Sequence, residues 1–96
     1  MQIEYDNIKN ESNMRKHGGI SLADAALLDW DAALEWVDSR DDYGEERTVA
    51  YAPIGERLYC AVYVDRGDVR RMISLRKANA REVEKYEEAQ AGQADA

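Results

Sequence analysis

Apolar and polar residues alternate along several stretches of the chain, and a period of two predicts β-strands. The longest regular stretch is 57–65, whose side chains form two apolar sets on opposite sides: Leu58, Cys60, Val62 and Val64, and Tyr59, Ala61 and Tyr63. Because neither set is polar, we expect this strand to be central and covered on both faces. Further strands are predicted at 2–5, 34–37, 46–54 and 69–76.

The predicted strand at 69–76 ends in a cluster of cations, Arg76 and Lys77. Strict alternation divides it into two faces: Val69, Arg71, Ile73 and Leu75, and Arg70, Met72, Ser74 and Arg76. Arg76 would then be held at the end of a packed strand while still reaching solvent. A guanidinium placed in this way suits a phosphate or a carboxylate. The residues from Asp65 to Asp68 are expected to form a tight hairpin turn.

A polar helix is predicted over 7–17, with Asp6 as its N-cap. Gly18 is expected to end this helix, because glycine readily adopts the positive φ of a helix C-terminus. Lys16 and His17 fall in the last turn, where the helix dipole favours cations.

A second, shorter helix is predicted to begin after Ser21, with Asp24 completing a capping box, and to end near Asp29. Its apolar residues recur at the spacing of an amphipathic α-helix: Ala23, Ala26, Leu27 and Trp30. A third helix is predicted from Ala78 to about Gln90, with a frayed tail over 89–96.

These elements predict the α+β class. We expect a small antiparallel sheet of three to four strands, packed with two N-terminal helices and one C-terminal helix. The chain contains no repeat and no linker, so residues 1–96 are expected to form a single domain.

Charge is unevenly distributed along the chain. The net charge is −7, which argues against general affinity for nucleic acid. Residues 24–47 carry −7, residues 66–81 carry +5 and residues 82–96 carry −4. Two interpretations stand at this point: the segments are solvated faces that pair with each other, or the basic segment is a local anion site.

Several functional classes find no support in the sequence. No apolar run approaches the length of a membrane span, and the N-terminus lacks the blocks of a signal peptide, so we expect a cytoplasmic protein. Cys60 has no partner for an internal disulfide and is expected to be a small buried hydrophobe. A single His and a single Cys give no metal-ligand cluster, and no phosphate loop or dinucleotide fingerprint is present. We expect neither a metal nor a cofactor.

The side chains that remain for chemistry form a general acid–base set with cationic support: Lys16, His17, Glu46, Arg47, Ser74, Arg76 and Tyr86. His17 is the only one whose unperturbed pKa lies near neutrality. Simpler roles exist for most of them. His17 could have the purely structural role of contacting the carbonyls at the end of its helix, and Ser74 could simply form a hydrogen bond with a neighbour. Glu46 and Arg47 open a strand that could lie beside the Arg76 strand, where a cross-strand ion pair would suffice. Tyr86 could belong to the core.

Several elements match a known family in order and spacing: Tyr5-Asp6, Lys9, Asn13, Lys16-His17-Gly18, the alanine-rich helix from Ser21, Tyr43-Gly44-Glu45-Glu46-Arg47, the strand 58–64, Arg71-x-Ile73-Ser74-x-Arg76-x-Ala78 and Glu84-x-Tyr86. Over about residues 3–88 the chain resembles the BrnT family, the toxins of type II toxin–antitoxin modules. Leu75 stands where the family often has alanine, and other aromatic residues replace Phe throughout.

The resemblance implies a RelE-like fold and a cytoplasmic endoribonuclease that cleaves cellular RNA and arrests growth. It also implies a BrnA-type ribbon-helix-helix antitoxin that neutralises the toxin, binds DNA as a dimer and represses the shared operon with it. The toxin would then meet DNA only through the antitoxin. An RNA substrate could be free or ribosome-associated, and the net charge of −7 favours a docked one.

The implied chemistry is metal-independent RNA cleavage by general acid–base catalysis. In it Arg76 and Arg47 contact the phosphate, His17 is the base or acid, and Lys16 is a phosphate contact or an alternative base. Glu46, Ser74 and Tyr86 would orient these groups. The alternative is a catalytically inactive module of the same fold that binds a partner or acts in transcriptional control. Under either hypothesis the acidic segment 24–47 could receive a basic arm of an antitoxin.

Overall fold

The structure is a computed structural model that describes residues 1–39 and 44–94. Tyr43 and most of the connection that follows Ser39 lie outside the described residues. The strands are β1 (Gln2–Glu4), β2 (Leu34–Asp38), β3 (Arg47–Ile54), β4 (Arg57–Arg66) and β5 (Val69–Lys77). The α-helices are α1 (Asn7–Lys16) and α2 (Ala80–Ala94), and two short 3₁₀ helices span Leu22–Leu27 and Trp30–Ala32.

The strands form one sheet in the order β1-β5-β4-β3-β2. The α+β class is confirmed, and so is the central place of β4. The prediction of three to four antiparallel strands is wrong, because β1 adds to the edge of β5 in parallel and makes a five-stranded mixed sheet. The hairpins β3–β4 and β4–β5 place β4 between the other two strands, so the Arg47 strand does not lie beside the Arg76 strand.

A β-bulge in β5 decides which side chains share a face. Val62 pairs with Ser74, whereas the next residue, Tyr63, pairs with Met72, so Ile73 has no partner in β4. The extra residue breaks the strict alternation that the sequence predicted. Met72 and Leu75 therefore both enter the same buried cluster, although they were expected on opposite faces.

Two apolar clusters cover the two faces of the sheet. The first lies under the Leu22–Leu27 helix and contains Leu22, Ala25, Leu28, Ala50, Ala52, Ala61, Tyr63, Met72 and Leu75. The second contains Val49, Tyr51, Leu58, Cys60 and Ala78, and Val83 and Tyr86 of α2 pack against it. Cys60 is buried in this cluster, as predicted from the strand pattern. Ser74 and Arg76 pair with Val62 and Cys60 and so belong to the α2 face.

The second predicted helix forms, but as a 3₁₀ helix of different phase. The capping box of Ser21 and Asp24 is confirmed. The buried residues are Leu22, Ala25 and Leu28, spaced by three as a 3₁₀ helix requires. The α-helical spacing assigned Leu27 to the core, whereas it is 66% exposed.

The last helix begins later and ends later than predicted. Asn79 caps it, because its side-chain Oδ1 accepts a hydrogen bond from the backbone N–H of Glu82 at 2.9 Å. Ala78 therefore lies before the helix and belongs to the second cluster. The helix continues past Gln90 to Ala94, because this stretch is rich in alanine and other good helix formers.

Candidate functional site

The end of α1 is built by the sequence Lys16-His17-Gly18. His17 is the C-cap residue, and the next two residues, Gly18 and Gly19, have φ of +66° and +87°. The backbone N–H of Gly19 donates to the carbonyl of Met14 at 2.8 Å, which is the long hydrogen bond of a Schellman motif. The motif turns the chain sharply away and leaves Lys16 and His17 at the exposed end of the helix.

Asn13 attaches this helix to the sheet. Its side-chain Nδ2 donates to the Leu75 carbonyl at 2.8 Å, and its Oδ1 accepts from the Leu75 N–H at 3.0 Å. A third bond runs from Nδ2 to the carbonyl of Ile20 at 2.9 Å. Because Asn13 is buried, these bonds fix the C-terminal turn of α1 against β5.

The structure brings four of the predicted site residues into one pocket. We name it the α1–β5 pocket; its volume is about 210 Å³, and it is lined by Lys9, Ser12, Asn13, Lys16, His17, Arg47, Ile73 and Ser74. Arg47 comes from the first residue of β3 and Ser74 from β5, so three elements contribute. Basic and neutral polar groups dominate the lining, to which the described part of the chain contributes no carboxylate.

Arg76 lies at the neighbouring opening rather than in this pocket. The His17–Arg76 pocket, of about 330 Å³, is lined by Lys16, His17, Gly18, Ile20, Arg76 and Lys77. Lys16 and His17 therefore face both openings. The Arg76 guanidinium is paired with Glu82 of α2, at 2.7 Å from Nη1 to Oε1 and 2.8 Å from Nη2 to Oε2.

His17 is in an environment that favours its neutral form. Burial lowers its pKa below the ordinary value of 6.5, and the positive charges of Arg76 and Lys16 lower it further. The helix dipole alone would favour the cation at this position. Desolvation and the two nearby cations outweigh it, so an unprotonated imidazole is available at neutral pH.

Two of the predicted supporting residues do not reach these pockets. Glu46 is an exposed residue directly before β3, and it lines neither pocket. Tyr86 packs against the second cluster, and its hydroxyl donates to the carbonyl of Ala32 at 2.7 Å. The hydroxyl of Tyr86 is thus used to fasten α2 to the segment before β2, which agrees with the simpler role weighed for it.

The basic segment is largely paired with acidic residues. Arg66 binds Glu45, and Arg70 binds Asp65 and more distantly Glu35. Further along, Arg71 binds Glu4 and Arg76 binds Glu82. The interpretation of mutually pairing faces therefore holds for these arginines. Lys9, Lys16 and Arg47, which lie outside that segment, add basic side chains to the lining of the α1–β5 pocket.

Sequence reasoning about chemistry missed Lys9, Ser12, Asn13 and Glu82. Lys9, Ser12, Asn13 and Lys16 have the spacing i, i+3, i+4 and i+7, which places them on one face of the helix. This polar stripe was the sequence signal that could have identified the first three as pocket residues. Glu82 stands three residues after Asn79, and this N-x-x-E pattern predicts a capping box. Recognising the box would have placed a carboxylate beside the end of β5.

Within residues 1–39 and 44–94, no three His, Cys, Asp or Glu side chains come together in a way that could hold a metal ion. Among the same residues, no helix is both long and apolar enough to cross a membrane.

The fold and the two pockets define a small α+β protein with a site suited to an anion. Comparison with protein families then gives a specific result. The model of the family described as "Ribonuclease toxin, BrnT, of type II toxin-antitoxin system" matches residues 5–82. The chain belongs to this family of ribonuclease toxins, as the sequence elements predicted. A search of curated proteins found none that matches.

Proposed function

We propose that this protein is an endoribonuclease that cleaves RNA without a metal ion, using the α1–β5 pocket and the adjoining His17–Arg76 pocket. The family is described as one of ribonuclease toxins, which supports the activity. The observation that carries the proposal is the convergence of Lys16, His17 and Arg47 on one small pocket, with Arg76 at its neighbour.

The proposed reaction is an internal transfer at the RNA backbone. A base removes the proton of the 2′-hydroxyl, and the 2′-oxygen forms a bond to the adjacent phosphorus. The bond from phosphorus to the 5′-oxygen breaks, and an acid delivers a proton to that oxygen. The products are a 2′,3′-cyclic phosphate and a free 5′-hydroxyl.

His17 is proposed as the base, because its lowered pKa supplies the neutral imidazole that this step needs near pH 7. Arg76 and Arg47 are proposed to contact the phosphate, whose negative charge grows in the transition state. Lys16 faces both openings and would contact the phosphate or replace His17 as the base. Ser74 lines the pocket and would orient these groups.

The partner is proposed to be a ribbon-helix-helix antitoxin of the BrnA type that binds the toxin and represses the operon together with it. Membership of a type II toxin–antitoxin family supports an antitoxin partner. The net charge of −7 repels free polyanions, so a substrate presented on a ribosome fits the charge balance better than bulk RNA.

The experiment is cleavage of an end-labelled RNA oligonucleotide by the purified chain, with and without EDTA. A matched oligonucleotide with a single 2′-deoxy position tests the nucleophile. We expect a cyclic phosphate product, no effect of EDTA, and no cleavage at the deoxy position. Purified ribosomes carrying mRNA form the second arm. Absence of cleavage in both arms, together with binding to the antitoxin, would support the inactive interaction module instead.

A further inference from the structure

Arg76 and Glu82 form an ion pair with a defined orientation. Both terminal nitrogens of Arg76 are used, because Nη1 donates to Oε1 and Nη2 donates to Oε2 of the Glu82 carboxylate. A weaker bond runs from Nη1 to the carbonyl of Lys77 at 3.3 Å. The carboxylate thus holds the guanidinium end-on, in a planar two-bond contact.

Glu82 is itself firmly held. Its Oε1 accepts from the backbone N–H of Asn79 at 2.8 Å, and its own N–H donates to the Asn79 side chain, which completes the capping box of α2. The Glu82 side chain is only 11% exposed. A carboxylate that is buried and bonded to the start of α2 can fix its arginine in turn.

The end-on contact leaves one edge of the guanidinium available. Arginine has five N–H groups, and Glu82 and Lys77 account for one on Nη2 and two on Nη1. Within residues 1–39 and 44–94, the Nε–H and the second N–H of Nη2 have no acceptor. These two groups point in parallel from the same edge, which is the geometry that binds two phosphate oxygens together.

We propose that Glu82 is a positioning residue that locks Arg76 so that its Nε and Nη2 edge binds two non-bridging oxygens of the phosphate being cleaved. The inference rests on the proposed ribonuclease function and adds a residue to it. Glu82 does not touch the substrate. It prevents rotation of the guanidinium, so the loss of rotamer freedom is complete before RNA arrives.

Fixation matters because a long arginine side chain otherwise loses freedom on binding. A donor pair already aimed at the phosphate stabilises transition-state charge without reorganisation. Neutralising Glu82 removes one of the two bonds and lets the guanidinium turn. We expect kcat/KM for RNA to fall about tenfold or more, mainly through kcat.

Glu82→Gln is the suitable variant, because glutamine also serves in a capping box and preserves the start of α2. Asn79→Ala is its matched control. That change removes the side-chain half of the cap but leaves the backbone N–H at residue 79 and both bonds to Arg76. Thermal unfolding is measured for each variant, and cleavage is measured well below both values of Tm.

The decisive measurement is a double-variant comparison. We expect Glu82→Gln to lower kcat/KM about tenfold, Asn79→Ala to stay within about twofold of the wild type, and Glu82→Gln to have no further effect in an Arg76→Ala background. Reductions that multiply in the double variant would overturn the inference, as would a Glu82→Gln activity within about twofold of the wild type.

NMR of arginine side chains adds a readout that a purely structural role would not move. The probe is the same oligonucleotide with 2′-O-methyl groups throughout, which cannot be cleaved. We expect it to shift the Nε–Hε resonance of Arg76 in the wild type and to bind Glu82→Gln more weakly. An unmoved resonance in a saturated complex overturns the inference. Binding and a shifted resonance without cleavage of free or ribosome-bound RNA would contradict the proposed function alone, whereas absence of oligonucleotide binding would overturn the inference.

Discussion

The side-chain amide of Asn13 pairs with both backbone polar groups of Leu75, as a neighbouring strand would. The two bonds are 2.8 and 3.0 Å long. β1 pairs with β5 only as far as Arg71, so the edge of β5 beyond it needs another partner. Asn13 supplies that partner from a helix. The contact sets the place of His17, one helical turn later, relative to Ser74.

Replacing Asn13 with alanine is therefore expected to destabilise the fold. The change leaves a buried N–H and a buried carbonyl of Leu75 without partners, and we expect a loss of about 2–4 kcal/mol in the free energy of unfolding. Urea denaturation measures it. Asn7→Ala, at an exposed position of the same helix, is the control and should change stability by less than about 0.5 kcal/mol. Equal losses for the two variants would refute the anchoring role of Asn13.

Gly18→Ala tests the turn that ends α1. The residue has a φ of +66°, and a methyl group added there would meet no other atom within 4 Å, so the penalty comes from the backbone alone. We expect a loss of about 1 kcal/mol in the free energy of unfolding. Gly92→Ala lies inside α2 and should have the opposite sign, because alanine is the better helix former there. A neutral Gly18→Ala variant would contradict the left-handed backbone conformation assigned to residue 18.

The pH profile tests His17 as the base. Because its pKa lies below 6.5, kcat/KM should be constant near neutral pH and fall only as the pH drops through the lowered value. Lys16→Gln removes a cation that disfavours imidazolium, so the pKa of His17 should rise and the acid limb should move to higher pH. Arg15→Gln is the control for Lys16→Gln, because it removes an equal charge from an exposed neighbour that lies outside both pockets. An acid limb that stays in place in Lys16→Gln, or that begins above pH 6.5 in the wild type, would exclude this assignment.

Local signals in the sequence predicted the elements well. Asp6 caps α1 through bonds to the N–H groups of Ile8 and Lys9, as its residue type and position indicated. The alternation in 57–65 identified the central strand, and Gly67 adopts the positive φ of the predicted hairpin turn. Each of these features depends on neighbours within a few residues, which is why the sequence carried them.

Features that depend on distant pairing escaped prediction. The bulge at Ile73 arises from the register between β4 and β5, and no local pattern in β5 marks it. The parallel addition of β1 depends on which sheet edge is open. The contact of Glu82 with Arg76 joins residues only six apart, yet it requires the capped start of α2 to be known first. Convergence of Arg47 with α1 likewise depends on the whole sheet order.

The most direct test of the proposed site is RNA cleavage by Arg76→Ala compared with Arg57→Gln. Arg57 is an exposed arginine at the start of β4 that lines neither pocket, so its loss removes the same charge without touching the site. We expect Arg76→Ala to lower kcat/KM about 100-fold or more, and Arg57→Gln to stay within about twofold of the wild type. Full cleavage by a folded Arg76→Ala variant would contradict the central claim that this guanidinium binds the phosphate.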